Sequence, residues 1–134
     1  MDRLSLRILL PTRQAVERTV DSVNLTAWEG EVGILPGHAP YLAVLRPGPA
    51  SFRDGAETAT FALGDGFLEV HDDVVTALVQ SAERSEDIDV VRAEQRKAAL
   101  QAQLAAEGLA EAEMRRLELS LAKQLARIQV ATGR

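Results

Sequence analysis

The chain has 134 residues, of which 26% are charged, and its formal net charge is −5 at pH 7. This length suffices for one domain with an appendage or for two small units, and the acidic balance argues against a nucleic-acid-binding protein, which normally carries a basic stripe. Cysteine is absent and there are two histidines, so disulfides and thiolate metal sites are excluded and we expect no bound metal.

The first residues carry arginines beside an apolar run, which superficially resembles a secretory signal. The run is interrupted by Arg7, stops at Pro11 and lacks a small-residue cleavage site. No other apolar stretch approaches the ~20 residues that a membrane-spanning helix needs. We therefore expect a soluble protein that reaches a membrane only through a partner.

The composition changes sharply near residues 81–85. All five prolines and seven of the nine glycines precede this point, and the sequence after it is rich in Ala, Glu, Gln, Leu and Arg. The change predicts two architectures in one chain, a β-structured domain over residues 1–84 and a helical domain over residues 85–134.

The first domain shows the period of two that is typical of strands with one buried face. Apolar and polar residues alternate in segments 4–10 and 23–27, and further strands are predicted at 58–63, 67–70 and 74–79. Turn signals separate them, including an Asp-Gly pair at 54–55. Many short strands at this spacing indicate an antiparallel β-sandwich or barrel rather than a parallel sheet.

Segment 30–48, GEVGILPGHAPYLAVLRPG, places glycines and prolines between two short apolar strands. Glycine adopts backbone angles that other residues resist, and proline fixes one angle and removes a donor. The segment predicts a strand, a tight exposed loop at 35–40, a second strand and a turn at 46–49. A constrained loop on a rigid scaffold is often a binding surface.

The second domain has helical periodicity. Ser85 or Asp87 can cap a first helix, Gly108 ends it, and a second helix begins near Ala110. The expected apolar stripe of the first helix is Ile88, Val91, Gln95, Ala98, Ala102 and Ala105. That of the second is Met114, Leu117, Leu121, Leu125 and Ile128. Two such helices with a short loop form an antiparallel hairpin.

The hairpin is not expected to be stable alone. Apolar burial contributes about 25 cal/mol per Å², and a stripe made largely of alanine buries little area. Isolated helices of this length are marginal in water. The hairpin therefore needs a third surface, either the sandwich or a partner, and a segment that can dock in two places is a candidate switch.

Segment 30–48, the later GFLEV, the stretch VTALVQSAERSEDID and the alanine-rich tail together resemble the epsilon subunit of the bacterial F-type ATP synthase. The resemblance covers essentially the whole chain. It implies an N-terminal antiparallel β-sandwich followed by a C-terminal antiparallel two-helix hairpin, in agreement with the reading from the residues.

The resemblance also implies a function and a set of partners. The chain would be a non-catalytic rotor subunit of the central stalk that couples proton or sodium flow to ATP synthesis. Its partners would be the gamma subunit, the ring of membrane c subunits and, through the extended hairpin, the catalytic alpha/beta head, whose ATP hydrolysis the hairpin would restrain. The place would be the cytoplasmic face of the bacterial plasma membrane, as a peripheral protein.

Two sets of site residues follow from the resemblance. Glu31 and His38 would contact the polar loops of the c-ring; alternatively, Glu31 is a solvated turn residue and His38 a loop residue without a special partner. The motif IDVVRA matches a segment that helps bind regulatory ATP in some members. The nucleotide-binding candidates are Glu83, Asp89, Arg92, Lys123 and Arg127.

The nucleotide motif departs from the family pattern in two places: Lys123 stands where arginine is expected, and Ala99 where another basic residue can occur. Without the family, Asp89 and Arg92 read as a helix-terminal acid and an intrahelical pair worth ~0.3 kcal/mol. No cofactor is expected; a regulatory ATP is the one nucleotide ligand that the resemblance leaves open.

Two other functions are compatible with the residues. The chain could be a freestanding ATP-sensing module whose hairpin closes on nucleotide, or an enzyme with His38 and Glu31 as an acid–base pair. The sequence contains neither a Gly-rich Lys-Ser/Thr phosphate loop nor a Gly-x-Ser-x-Gly motif. We therefore expect no catalytic residues in this chain.

Overall fold

The computed structural model describes residues 2–133, which contain ten strands, a 3₁₀ turn and two α-helices. The strands are β1 Leu4–Leu9, β2 Gln14–Val20, β3 Ser22–Ala27, β4 Gly30–Ile34, β5 Tyr41–Leu45, β6 Gly48–Asp54, β7 Glu57–Leu63, β8 Gly66–His71, β9 Val74–Val79 and β10 Ala82–Arg84. The 3₁₀ turn Ser85–Asp87 leads to α1 Val90–Leu104 and α2 Glu111–Thr132. The expected fold class, a β-sandwich followed by a helical hairpin, is confirmed.

Strand β3 joins the two layers of the sandwich. One layer has the order β10-β7-β6-β3 and the other β5-β8-β9-β1-β2, while β4 pairs with the free side of β3. Residues 22–24 of β3 pair with β6, whereas Ala27 pairs with Leu45 of β5. One continuous strand thus belongs to both layers.

One pair departs from the antiparallel expectation. β1 and β9 run parallel, with Ser5 opposite Val74 and Leu9 opposite Leu78. These strands come from the two ends of the β domain, so no hairpin turn forces them into opposite directions. Strands β2, β6 and β10 were not predicted. QAVERTV carries charges at two positions, AER is only three residues long, and the first two residues of GPASFRD lie in the turn predicted at 46–49.

The core lies between the layers and follows the strand period. On β8, Leu68 and Val70 are buried while Phe67 and Glu69 point outward. The largest fully buried side chains are Leu4, Leu6, Ile8, Leu25, Ile34, Leu45, Leu68, Val20, Val70 and Val75. All of them are aliphatic, and burying each of them stabilises the fold by about 1.5–3 kcal/mol.

The hairpin folds back onto the sandwich through α2. This helix packs against β6 and β7, whereas α1 packs chiefly against α2. The outer surface of β6, β7 and β10, here named the hairpin face, carries Pro49, Ser51, Thr60, Ala62 and Glu83. Ala62 points away from the core and is nevertheless buried, because α2 covers it.

The expected stripe of α1 is wrong except at Ile88, which is buried just before the helix begins. Val91, Gln95, Ala98 and Ala102 are exposed, and the buried residues of this helix are Ala93 and Leu100. Several sets of alanines in α1 have helical spacing. The buried set is the one that includes Leu100, because leucine buries more apolar area than alanine does. The N-cap is Asp89, which accepts a hydrogen bond from the Arg92 amide, rather than Ser85 or Asp87.

The expected stripe of α2 is only partly right. Leu117 is buried as predicted, but Met114 and Leu125 are exposed. Gln124 and Ala126 are buried instead, since α2 meets both α1 and the sandwich and a single stripe cannot serve two contacts.

A cluster of ion pairs ties the β2 edge to the β6–β7 turn. Arg3 pairs with Asp21 and Asp54, and Arg18 pairs with Asp54 at 3.0 Å and Glu57 at 2.8 Å. β2 lies at the end of one layer and β6 in the other, so these side chains help to hold the layers together at this edge.

The same contacts shift two carboxyl groups. A hydrogen bond from the Gly55 amide holds the pKa of Asp21 below its ordinary 3.8, and the hydrogen bond and positive charge of Arg3 lower it further. The hydrogen bond with Arg18 lowers the pKa of Glu57 from its ordinary 4.5. Such groups stabilise the fold above their unfolded pKa, and this contribution is lost as pH falls through the folded value.

We therefore expect stability to decrease as pH falls below about 4.5, the ordinary value for Glu57. The double variant Asp21→Asn/Glu57→Gln should be less stable than the unchanged chain at pH 7. The difference should shrink as pH falls, because the two wild-type carboxyl groups lose their charge as pH passes through their lowered pKa values. Urea unfolding between pH 2 and 7 measures this, with the exposed Glu94→Gln as the control. A constant difference across this range would contradict the prediction.

Candidate functional site

The loop at residues 35–40 leaves the buried end of β4 and is held by few contacts. Gly37 has φ +84°, a left-handed angle that suits glycine. The His38 amide donates to the Leu35 carbonyl at 3.2 Å, and the His38 ring stacks edge-on to Tyr41 with centroids 5.8 Å apart. The Gly37 amide donates to the Asp73 carboxylate at 2.7 Å. The loop is thus exposed to solvent, and these hydrogen bonds fix its conformation.

Glu31 and His38 lie apart along this segment. Glu31 is exposed on β4, opposite Thr26, and His38 lies four residues beyond Ile34, the end of that strand. Within residues 2–133 no hydrogen bond or ion pair joins the two side chains, and the Nδ1 atom of His38 lies 2.7 Å from the carbonyl of Ala39. The arrangement gives no support to an acid–base pair.

A second candidate site is an apolar groove on the opposite side of the sandwich from the hairpin. The outer surface of β5, β8 and β9, here named the groove face, carries a row in which Val44 faces Phe67 and Phe67 faces Leu78. Leu42 and Trp28 extend it. The five side chains are between 49% and 75% exposed, and they line a groove of about 680 Å³.

The sequence reading missed this groove, although a signal was present. YLAVL in β5 is apolar at every position, so both faces of the strand are apolar. In a strand with one wet face, Leu42 and Val44 should be polar. A patch of this kind on a soluble domain usually marks an interaction site.

The nucleotide-binding candidates are divided between two places. Arg127 on α2 pairs with Glu83 on β10, with Nε 2.7 Å from Oε1, and its Nη1 donates to the Gln124 side-chain oxygen at 2.7 Å. Gln124 is 6% exposed and the Arg127 side chain 13%. This Glu83–Arg127–Gln124 group, here named the latch, connects the hairpin to the sandwich.

The other three candidates lie outside the latch. The Asp89 carboxylate caps α1 by accepting from the Arg92 amide at 3.0 Å, and the Arg92 side chain is exposed. Lys123 lines a small cavity of about 220 Å³ with Ser81 and Ser120. The structure therefore brings Glu83 and Arg127 into contact, and the hydrogen bonds of residues 2–133 do not join the remaining three to them.

Comparison with known proteins assigns the fold to a family. Residues 3–85 match the family model for the ATP synthase, Delta/Epsilon chain, beta-sandwich domain. The ATP synthase epsilon chain of Trichlorobacter lovleyi is 38% identical over 140 aligned residues, which cover 97% of this chain and 94% of the relative. The chain belongs to the ATP synthase epsilon chain family. The resemblance noted from the residues is confirmed.

Two solved structures share the fold of this epsilon-family chain. A chain of the Euglena gracilis mitochondrial ATP synthase, in a structure of OSCP, F1 and the c-ring, has a TM-score of 0.82 and 22% identity, covering 96% of this chain and 81% of that one. A chain of the Tetrahymena thermophila mitochondrial ATP synthase central stalk and c-ring has a TM-score of 0.68 and 14% identity, with 98% of each chain covered.

Helices α1 and α2 are amphipathic. In the described part of the chain, neither helix is both long enough and apolar enough to cross a bilayer.

The latch should contribute to the docking of the hairpin. Glu83→Gln removes the charge that pairs with Arg127 inside a largely buried contact, so we expect a loss of about 1–3 kcal/mol in the free energy of opening. Amide hydrogen exchange along α2 measures this locally. The double variant Glu83→Gln/Arg127→Gln should lose less than the sum of the single variants.

Glu86→Gln and Arg115→Gln change the same residue types at exposed positions and serve as controls. Losses that simply add in the double variant would show that the two latch side chains do not stabilise the docked hairpin through each other.

Proposed function

We propose that this chain is a non-catalytic rotor subunit in the central stalk of an F-type ATP synthase, where it couples ion flow through the c-ring to ATP synthesis. Its family and the exposed apolar groove support the proposal. The groove is the main structural support for the proposal, because a protein that works alone rarely exposes a patch of five large apolar side chains to water. The chemistry of ATP belongs to other subunits.

The gamma subunit is the proposed occupant of the groove. Phe67 lies at the centre of the row, with Val44 and Leu78 opposite it on the two neighbouring strands. Glu29 and Glu69 also line the groove, and Glu69 lies between Leu42 and Thr76. Large apolar and aromatic side chains beside a few charged ones are a usual composition for a protein interface. The groove face also lies away from the hairpin, so a bound gamma subunit and a docked hairpin do not compete for it.

The c-ring is the proposed partner of Glu31 and of the loop that carries His38. Both side chains belong to segment 30–48: Glu31 lies on β4 and His38 in the loop that follows it. Glu31 is free of ion pairs within residues 2–133. An exposed carboxylate that pairs with a basic loop of the ring would contribute ~0.2–1 kcal/mol. The contact would extend along β4 and the loop rather than converge on one point.

The hairpin is the proposed regulatory element. α1 buries little apolar area, and α2 docks through a polar latch and small residues such as Ala62 and Ala126. Such a contact is weaker than an apolar core, so the hairpin can leave at low cost. The exposed Arg115 and Arg116 of α2 could then reach acidic surfaces of the alpha/beta head and restrain ATP hydrolysis.

Assembly with a membrane ring gives the proposed place of the chain, which is peripheral and on the cytoplasmic face of a bacterial plasma membrane. The membrane is reached through the complex alone.

The groove is tested by co-expression with the gamma subunit. The unchanged chain should co-purify with gamma as a stable complex, and Phe67→Asp should reduce recovery at least tenfold, because it buries an unpaired charge at the centre of the contact. Val91→Asp is the matched control, since Val91 is 68% exposed and Phe67 63%, but Val91 lies on α1.

Failure of the unchanged chain to bind gamma would contradict the rotor proposal. Equal recovery of the Phe67→Asp variant would contradict only the assignment of the groove.

A second candidate function is a freestanding ATP-sensing module. It is favoured by the position of Glu83, Lys123 and Arg127 along one boundary between α2 and the sandwich. One observation opposes the sensor function. The Arg127 guanidinium already donates hydrogen bonds to the Glu83 and Gln124 side chains, and a phosphate group would have to replace these acceptors.

Titration of the purified chain with ATP separates the two functions. A sensor requires amide shifts in residues 88–93 below millimolar ATP, and these shifts should disappear in Arg92→Ala but persist in Arg96→Ala, which alters an exposed arginine one turn later. We expect only weak binding, because Arg127 is engaged and Lys123 offers a point charge where arginine would offer a planar fork. Saturation at micromolar ATP would favour the sensor.

A further inference from the structure

The turn between β8 and β9 has an unusual backbone. His71 pairs with Val74, so Asp72 and Asp73 form a two-residue hairpin turn, and their φ angles are +49° and +61°. Within residues 2–133 these are the non-glycine residues with positive φ. Turns of this kind favour glycine at the second position, because a side chain resists the left-handed angle.

The Asp73 side chain makes a contact that glycine could not make. Its carboxylate accepts a hydrogen bond from the Gly37 amide at 2.7 Å, while its backbone carbonyl accepts from the Ser5 amide at 2.8 Å. A glycine would keep the second bond and relax the backbone, but it would lose the first. Aspartate at position 73 therefore combines an unfavourable positive φ angle with a hydrogen bond to Gly37 that glycine could not make.

That bond is the principal polar support of the loop at 35–40. The other hydrogen bonds of the loop, from the His38 amide to Leu35 and between the His38 ring and Ala39, are internal to it. Among the hydrogen bonds recorded for residues 2–133, only the one from Gly37 to Asp73 joins this loop to another element. His38 is the next residue after Gly37, so the bond fixes the start of the His38 backbone.

We propose that Asp73 is a positioning residue for the partner contact of the loop: its carboxylate holds Gly37, and thereby presents His38 in the orientation that the c-ring recognises. This inference rests on the proposed function. Asp73 thus joins Glu31 and His38 as a residue of the proposed contact, but it lies in the β8–β9 hairpin and acts by fixing the shape of the loop. This role explains why the turn has aspartate at a position where glycine would have less backbone strain.

Three variants separate the carboxylate from the turn. Asp73→Gly removes the acceptor and keeps the left-handed angle, Asp73→Asn keeps an acceptor oxygen and tolerates that angle, and Asp72→Gly relaxes the same turn without touching the bond. In the isolated chain, Asp73→Gly should speed exchange of the Gly37 amide about tenfold or more and weaken the nuclear Overhauser contacts between the His38 and Tyr41 rings. Asp73→Asn should largely restore both, and Asp72→Gly should leave them unchanged.

Binding of the chain–gamma complex to purified c-ring in lipid nanodiscs tests the consequence. Asp73→Gly should raise the Kd at least fivefold, Asp73→Asn should recover most of the affinity, and Asp72→Gly should bind as the unchanged chain does. If the unchanged complex binds and Asp73→Gly binds equally well, the positioning role is overturned while the proposed function stands. If the unchanged complex does not bind the ring, the ring contact in the proposed function is overturned. A Gly37 amide that exchanges equally in all three variants would also overturn the positioning role.

Discussion

The two-layer architecture depends on the backbone pairing of β3. This strand is hydrogen-bonded along one side to β4, and along the other first to β6 and then to β5. Because its backbone groups must be paired once they are buried, the strand fixes both layers at once. The relative position of the groove face and the hairpin face is therefore set by the pairing of β3 within the chain itself.

The two outer faces of the sandwich differ in what covers them. The hairpin face carries small and polar residues, and α2 lies over it with the latch as its polar contact. The groove face carries large apolar side chains that the rest of residues 2–133 leaves exposed. Small and polar contacts suit reversible docking, and a large apolar surface suits a lasting one, which is what the proposed rotor role would require of the two faces.

Much of the fold could be predicted from local patterns, and the candidate site much less. Period two in the first domain and period 3.6 in the second predicted both architectures, and the glycines and prolines of segment 30–48 located the loop before β5. The helix stripes failed because alanine is compatible with several buried faces, and only packing against leucine chooses between them. The Glu83–Arg127 contact and the Gly37–Asp73 bond join residues 44 and 36 positions apart, and no local pattern encodes such distances.

The way in which the hairpin is attached determines the order in which it can open. α1 is held mainly by α2, whereas α2 is held by both α1 and the sandwich. The first helix can therefore peel away while the second stays in place, but the second cannot lift off without carrying or losing the first. Opening, as proposed for the regulatory role, would then take two unequal steps: α1 would separate first, and the separation of α2, which breaks the latch, would be the rarer event.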